Sequence, residues 1–156
     1  MINFAAISPH APILLPNVGS EEDRKKVKKT IESLEFLAEK LAEMNPDKII
    51  ISSPHPDWGF EAPLYFLAKD LHANSAPSHL LRSHSGNANA LMRIEKILIG
   101  LESPKFYFEK GKEIYMSNIK GQMSRVALIA SGDLSHCLRA DGPYGFILMA
   151  QNLTRP

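Results

Sequence analysis

Hydrophobic positions along this chain fall into two patterns. Some are short, continuous apolar runs that stop at serine and proline. Others recur every third or fourth residue. Ile2 to Ile7 is a run of the first kind, ended by Ser8-Pro9. Lys48 to Ser52, with Ile49, Ile50 and Ile51 in succession, is another, ended by Ser53-Pro54. Arg125 to Ala130 is a third. Continuous apolar runs of this length are expected of strands buried on both faces. Between the first two lies a stretch of the second kind. Val27, Ile31, Leu34, Leu37, Leu41 and Met44 form one apolar stripe, which predicts a single long helix from Ser20 to Met44. Ser20 is placed to cap it, with Asp23 three residues on as a weaker capping box, and Asn45-Pro46 to stop it.

This β-α-β order predicts an α/β fold, a three-layer core with a mainly parallel sheet covered by helices. The strands near 2–7, 48–52 and 125–131 are expected to be neighbours. Further along, Glu61 to Leu71 predicts a helix with Pro63 in its first turn, where proline costs least. Ala90 to Ile99 predicts another, ended by Gly100. Ser103-Pro104 has the cap-plus-proline form of a helix start, followed by Tyr107, Gly111, Ile114 and Tyr115 at helical spacing. His72 to Asn89 is rich in Ser, Asn, Ala and His and predicts a polar loop.

Composition narrows the function classes. With 156 residues, 44% hydrophobic and 22% charged, residues 1–156 are read as one globular domain. A net charge of +1 gives no global basis for binding nucleic acid or an anionic membrane. The basic cluster Arg24-Lys25-Lys26-Val27-Lys28-Lys29 follows Glu21, Glu22 and Asp23, and reads as a solvated helix face. The single cysteine, Cys137, excludes an intrachain disulfide and makes a reducing compartment the default. The first residues lack the features of a signal peptide, and no apolar stretch approaches a spanning helix. The expectation is a cytoplasmic protein.

The candidate chemistry lies where the apolar runs end. Ser8-Pro9-His10-Ala11-Pro12 and Ser53-Pro54-His55-Pro56 are near copies, each just after a predicted strand. Proline fixes its own φ and biases its predecessor to extended forms, so each histidine sits on a stiff turn. His136 follows the third strand. Ligands of open parallel sheets bind beyond the carboxyl ends of the strands, so His10, His55 and His136 share one sheet edge if their strands are neighbours. Taken singly, a histidine after a strand is an ordinary surface or hydrogen-bonding residue; the repeated frame is what points to a metal. His72, His79 and His84, irregularly spaced in the polar loop, read as solvent-exposed. Asp133 reads as a cap for the following turn or an orienter of a histidine. Cys137 reads as a packed thiol. Ser135 lacks the Gly-x-Ser-x-Gly frame of a hydrolase elbow. Trp58, Phe60 and Tyr144 suit either core or an aromatic pocket wall.

Three segments together, Ile7-Ser-Pro-His-Ala-Pro, Ile51-Ser-Ser-Pro-His-Pro and Ala130-Ser-Gly-Asp-Leu-Ser-His, resemble the class III extradiol ring-cleavage dioxygenases. That superfamily includes the β chain of protocatechuate 4,5-dioxygenase and the Memo-like proteins. The likeness is greatest to an uncharacterised branch of the superfamily, where Asp141-Gly-Pro-Tyr-Gly-Phe also has counterparts. It covers residues 1 to 68 and 101 to 146; residues 69 to 100 match poorly. The resemblance implies a non-haem Fe(II) enzyme, an oxidoreductase that opens a catecholic ring with O₂. It implies His10 and His55 as metal ligands and His136 as the acid–base residue beside them.

That family's carboxylate ligand lies well downstream of the last histidine, where this chain has only twenty residues and none that fits. Asp141 is too near His136 and sits in a turn. The chain is therefore expected to be incomplete at its carboxyl end, to be of low stability or to self-associate through the edge left bare, and to be impaired in activity. A ligand from another chain, or Asp57 or Glu61, would be the substitute. Two other readings stand beside this one: a non-catalytic Memo-like protein using the same cleft for a partner, and a zinc hydrolase using all three histidines. The substrate-selecting residues fall in the poorly matching stretch.

Overall fold

The structure, a computed structural model, describes residues 2–69, 71, 80–82, 91–120, 125–133 and 140–141. Its elements run β1 (Ile2–Ser8), a 3₁₀ turn (Pro12–Leu14), α1 (Glu21–Lys26), α2 (Lys28–Met44), β2 (Lys48–Ser53), α3 (Trp58–Leu67), β3 (Leu80–Arg82), β4 (Leu91–Leu98), α4 (Pro104–Lys120) and β5 (Val126–Ser131). The five strands form one sheet in the order β1-β5-β2-β4-β3. β1, β5, β2 and β4 are parallel, and β3 is an antiparallel strand at the edge. This is the three-layer α/β arrangement with a mainly parallel sheet, and the three isoleucine- and valine-rich runs are neighbours in it.

The core lies on one face. Ile49, Ile51, Ala127 and Ile129 project from the sheet against Ala38 and Leu41 of α2 and Phe60 and Leu67 of α3, all nearly or fully buried. On the opposite face α4 approaches the sheet through Tyr107 and Ile114, opposite Ile97, Ile99 and Leu128. At the amino ends of the strands the Asp47 carboxylate accepts hydrogen bonds from the Arg125 backbone (2.8 Å) and guanidinium (2.9 Å). The Asp47 backbone N–H donates to the Arg125 carbonyl at 2.9 Å, and its carbonyl accepts from Arg93 at 3.2 Å. One residue thus joins β2, β5 and β4 at their start.

Several local expectations need correction: the helix read at Glu61 to Leu71 is α3, Trp58–Leu67, with Pro63 past its first turn, and β1 at the sheet edge is not buried on both faces, with Ile7 80% exposed. The segment read as a helix at Ala90 to Ile99 is strand β4. Its Leu, Met, Arg, Glu and Lys favour a helix, but a place beside β2, in register from Lys48↔Arg93 to Ser53↔Leu98, overrides that preference. A 2.6 Å ion pair between Lys48 and Glu95 accompanies this pairing. The polar loop from 72 to 89 contains β3, which pairs with β4; its other residues lie outside those described. The single helix from Ser20 to Met44 is broken at Val27, which caps α1 and begins α2. The Ser20–Asp23 capping box is present, and Asn45, with φ of 51°, ends α2. The basic cluster is spent largely on its own helices: Lys25 pairs with Glu21, Lys26 with Asp23 and Lys28 with Glu32, while Arg24 donates to the Leu15 carbonyl at 2.8 Å.

No helix among the described residues is long and apolar enough to cross a membrane.

Candidate metal site at the carboxyl ends of the strands

Because β5 lies between β1 and β2, the turns leaving all three strands open side by side. Gly132 N–H donates to the Ser8 carbonyl at 3.0 Å, carrying the β1–β5 pairing one residue past the strand. This brings Asp133 to the turn that holds His10. The His10 ring is buried, 1% exposed. Its Nε2 lies 3.3 Å from Asp133 Oδ2, and its backbone N–H donates weakly to Asp133 Oδ1 at 3.4 Å. Its Nδ1 lies 3.1 Å from the Ser131 hydroxyl.

His55 arrives from the other side. Its ring meets the His10 ring edge to face, centroids 5.0 Å apart and planes at 81°. Trp58, on the first turn of α3, lies tilted against His55 at 5.8 Å. The His55 turn closes on itself: the Ser53 hydroxyl accepts the His55 N–H at 3.1 Å and donates to the His55 carbonyl at 3.0 Å. α3 begins directly over this turn. A Cβ at Gly59 would stand 2.0 Å from Ser53 Oγ and 2.9 Å from His55 Cβ, so only glycine fits where helix and turn cross.

The two histidines assigned by their repeated frame are thus in ring contact. His136, the proposed acid–base residue, lies outside the described residues, as do His72, His79, His84, Cys137 and Tyr144. Asp57 and Glu61 are exposed at the start of α3, and Asp141 stands in a turn. Phe60 belongs to the core, with the Lys96 ammonium 5.3 Å above its ring. Of the two roles open to Asp133, the structure shows the approach to a histidine, and the histidine is His10. The signal was available: Asp133 stands two residues past a strand that had to adjoin β1. Ser131 and Gly59, which support the same histidine, carry no mark of that role in the sequence.

The donor types present, two imidazoles and a carboxylate, are those of the facial set that holds non-haem Fe(II). Their arrangement is looser than a finished site, since among the described residues no three His, Cys, Asp or Glu side chains are grouped to hold a metal ion. His10 and Asp133 approach to 3.3 Å, with His55 at ring contact beside His10.

The chain is 26% identical over 195 residues to Protein CA_C1420 from Clostridium acetobutylicum, a match that takes in 93% of this chain. The chain spans 42% of that protein's length. The matched stretch is longer than the 156 residues available here, so the relative carries additional residues within it. No family model and no solved structure matches the chain.

Proposed function

We propose that the carboxyl ends of β1, β5 and β2 form a mononuclear non-haem iron site of the extradiol dioxygenase type, in a cytoplasmic enzyme acting on a small catecholic substrate and O₂. The observation that supports this most directly is the meeting of His10, His55 and Asp133 in one place from three strands. His10 and His55 are the metal ligands in this reading, and Asp133, 3.3 Å from His10 Nε2, is the carboxylate to join them. His136 takes the acid–base role, suited to an imidazole that titrates near neutral pH. Fe(II), when bound, would supply a Lewis-acidic, oxidisable centre for a catechol and O₂. The protein's part is to hold imidazoles at fixed angles on proline-stiffened turns, to bury His10 away from water, and to set a carboxylate against the cation's charge. Trp58 beside His55 offers a flat apolar wall to an aromatic ring.

The test is metal analysis after anaerobic purification, with oxygen uptake on a catechol. Iron with oxygen uptake, even if slow, is the result that supports this reading. Zinc in its place, lost equally on replacing His10, His55 or His136 by Ala, would move the assignment to a three-histidine zinc site. Iron binding that survives His10→Ala and His55→Ala together would sink the ligand assignment. In a form that turns over, His136→Ala should keep the iron and slow the reaction by about 10²–10⁴-fold.

A further inference from the structure

The support behind His10 runs through three residues with no ligating role. Pro63 lies inside α3, at a position where an ordinary residue would donate its N–H to the carbonyl four residues earlier. That carbonyl belongs to Gly59. Proline has no N–H, so the Gly59 carbonyl has no helical donor from position 63 and accepts the Ser131 hydroxyl instead. A carbonyl only accepts, so Ser131 must spend its single proton there. The same hydroxyl oxygen lies 3.1 Å from His10 Nδ1 and can then only accept from it. Nδ1 therefore carries the proton, and the lone pair of the neutral ring sits on Nε2. That is the nitrogen 3.3 Å from Asp133 Oδ2. A lone pair and a carboxylate oxygen at this distance repel unless positive charge lies between them, as a second ring proton or as a metal ion.

We infer that Ser131 is a positioning residue which, with Pro63 and the Gly59 carbonyl, locks His10 in the Nδ1–H tautomer and turns its Nε2 lone pair toward the Asp133 carboxylate for a divalent cation. This deepens the metal-site reading and rests on it only for the cation. The chain of donors is fixed by chemistry at both ends: a carbonyl that cannot donate, and a proline that cannot compete for it. Partners of this kind behind a ligating histidine commonly change metal affinity by about 10–100-fold when removed.

Tautomer and affinity are read separately. In the metal-free protein with ¹⁵N-labelled histidine, long-range ¹H–¹⁵N correlation spectra, with His10 assigned by difference against His10→Gln, should show Nδ1 protonated, with Nε2 either bare or carrying the second ring proton. A dominant neutral form with Nε2–H and a bare Nδ1 overturns the inference whether or not the protein binds metal. Co(II) titration followed by visible absorption supplies the second readout. Ser131→Ala should lose the tautomer preference and weaken Co(II) binding by about 10–100-fold, while Ser131→Thr, which keeps the hydroxyl, retains both. Pro63→Ala, which restores a competing N–H, should stabilise α3 yet shift the tautomer ratio. Ser131→Ala with unchanged tautomer and affinity overturns the inference. If Ser131→Ala does not fold, the wild-type spectrum and Pro63→Ala decide. Absence of Co(II) binding by the wild-type chain removes the metal-site reading, and the tautomer spectrum still judges the relay.

Discussion

The two Ser-Pro-His turns are near copies in sequence and differ in how they are held. At His55 the serine before the proline satisfies the turn locally, accepting the histidine N–H and donating to its carbonyl. At His10 the corresponding Ser8 hydroxyl donates to the Pro9 carbonyl at 3.1 Å, and the histidine N–H goes instead to Asp133, 123 residues away. The His10 ring is buried and has long-range partners at both nitrogens; the His55 ring is partly exposed and is met by its neighbours' rings. The same tripeptide thus gives one turn held largely by its own hydroxyl and one anchored by a neighbouring strand. The difference follows from strand order. His10 leaves an edge strand beside β5 and reaches its exit loop, whereas the turn of His55 is covered by the helix it leads into.

On this contrast His10→Ala should be the most damaging change in either turn. Truncating a buried ring that bridges Ser131 and Asp133 should cost about 2–4 kcal/mol by urea unfolding, from the cavity and the polar groups left behind. His55→Ala should cost less, about 1 kcal/mol, in line with a partly exposed ring. Equal costs at the two positions would erase the distinction.

Gly59→Ala attacks the point where α3 crosses the His55 turn. The added methyl would fall on Ser53 Oγ, and displacing it should cost about 1–3 kcal/mol as an overpacked contact. The local hydrogen bonds of the His55 turn should break with it. Ser53→Ala combined with Gly59→Ala should recover part of the loss, because the clashing hydroxyl is gone. Failure of the double variant to recover any stability in thermal melts would place the strain elsewhere.

Asp133→Asn sharpens the contrast at constant shape. It removes the charge from the His10 side only, so Co(II) affinity should fall by at least about tenfold, the lower range for a lost anionic partner of a metal site. Unfolding free energy should change little in the metal-free chain. Unaltered Co(II) affinity would show that Asp133 holds the turn and does nothing for a cation.

The smallest effect is expected at the other end of the sheet, which touches neither turn. Hydrogen bonding from Arg125 holds the Asp47 carboxyl below its usual range. A carboxylate whose folded pKa is depressed adds stability that is present above its unfolded pKa, near 3.8, and is lost as pH falls through the lower folded value. Because the pair is about one third exposed, the contribution should stay under about 1 kcal/mol. Thermal melts of wild type and Asp47→Asn should therefore differ at pH 7 and converge as the pH drops below 4. A gap that persists at pH 2 would assign the effect to packing instead of charge.

Much of the framework is written in the chain itself. All three continuous apolar runs form strands, but only β2 and β5, inside the sheet, are buried as such runs predict, while β1 at the sheet edge alternates exposed and partly buried residues, with Ile7 80% exposed. The Ser20–Asp23 box and the Asn45-Pro46 stop act within a few residues, and the helices begin and end where they stand. The two stiff histidine turns are local as well. Other features needed the assembled sheet. β4 is a strand because β2 offers it a parallel edge, against the helical preference of its residues. Val27 breaks an apolar stripe that periodicity alone would continue, and the structure offers no sequence-level reason for the break. Pro63, expected in a first turn, sits deeper in α3, where its missing N–H leaves a carbonyl for a serine from another strand. Asp133 and Ser131 meet His10 only because β5 lies between β1 and β2. Local chemistry settles what a segment can be; which side chains share a site depends on strand order, and that is set by contacts across more than a hundred residues.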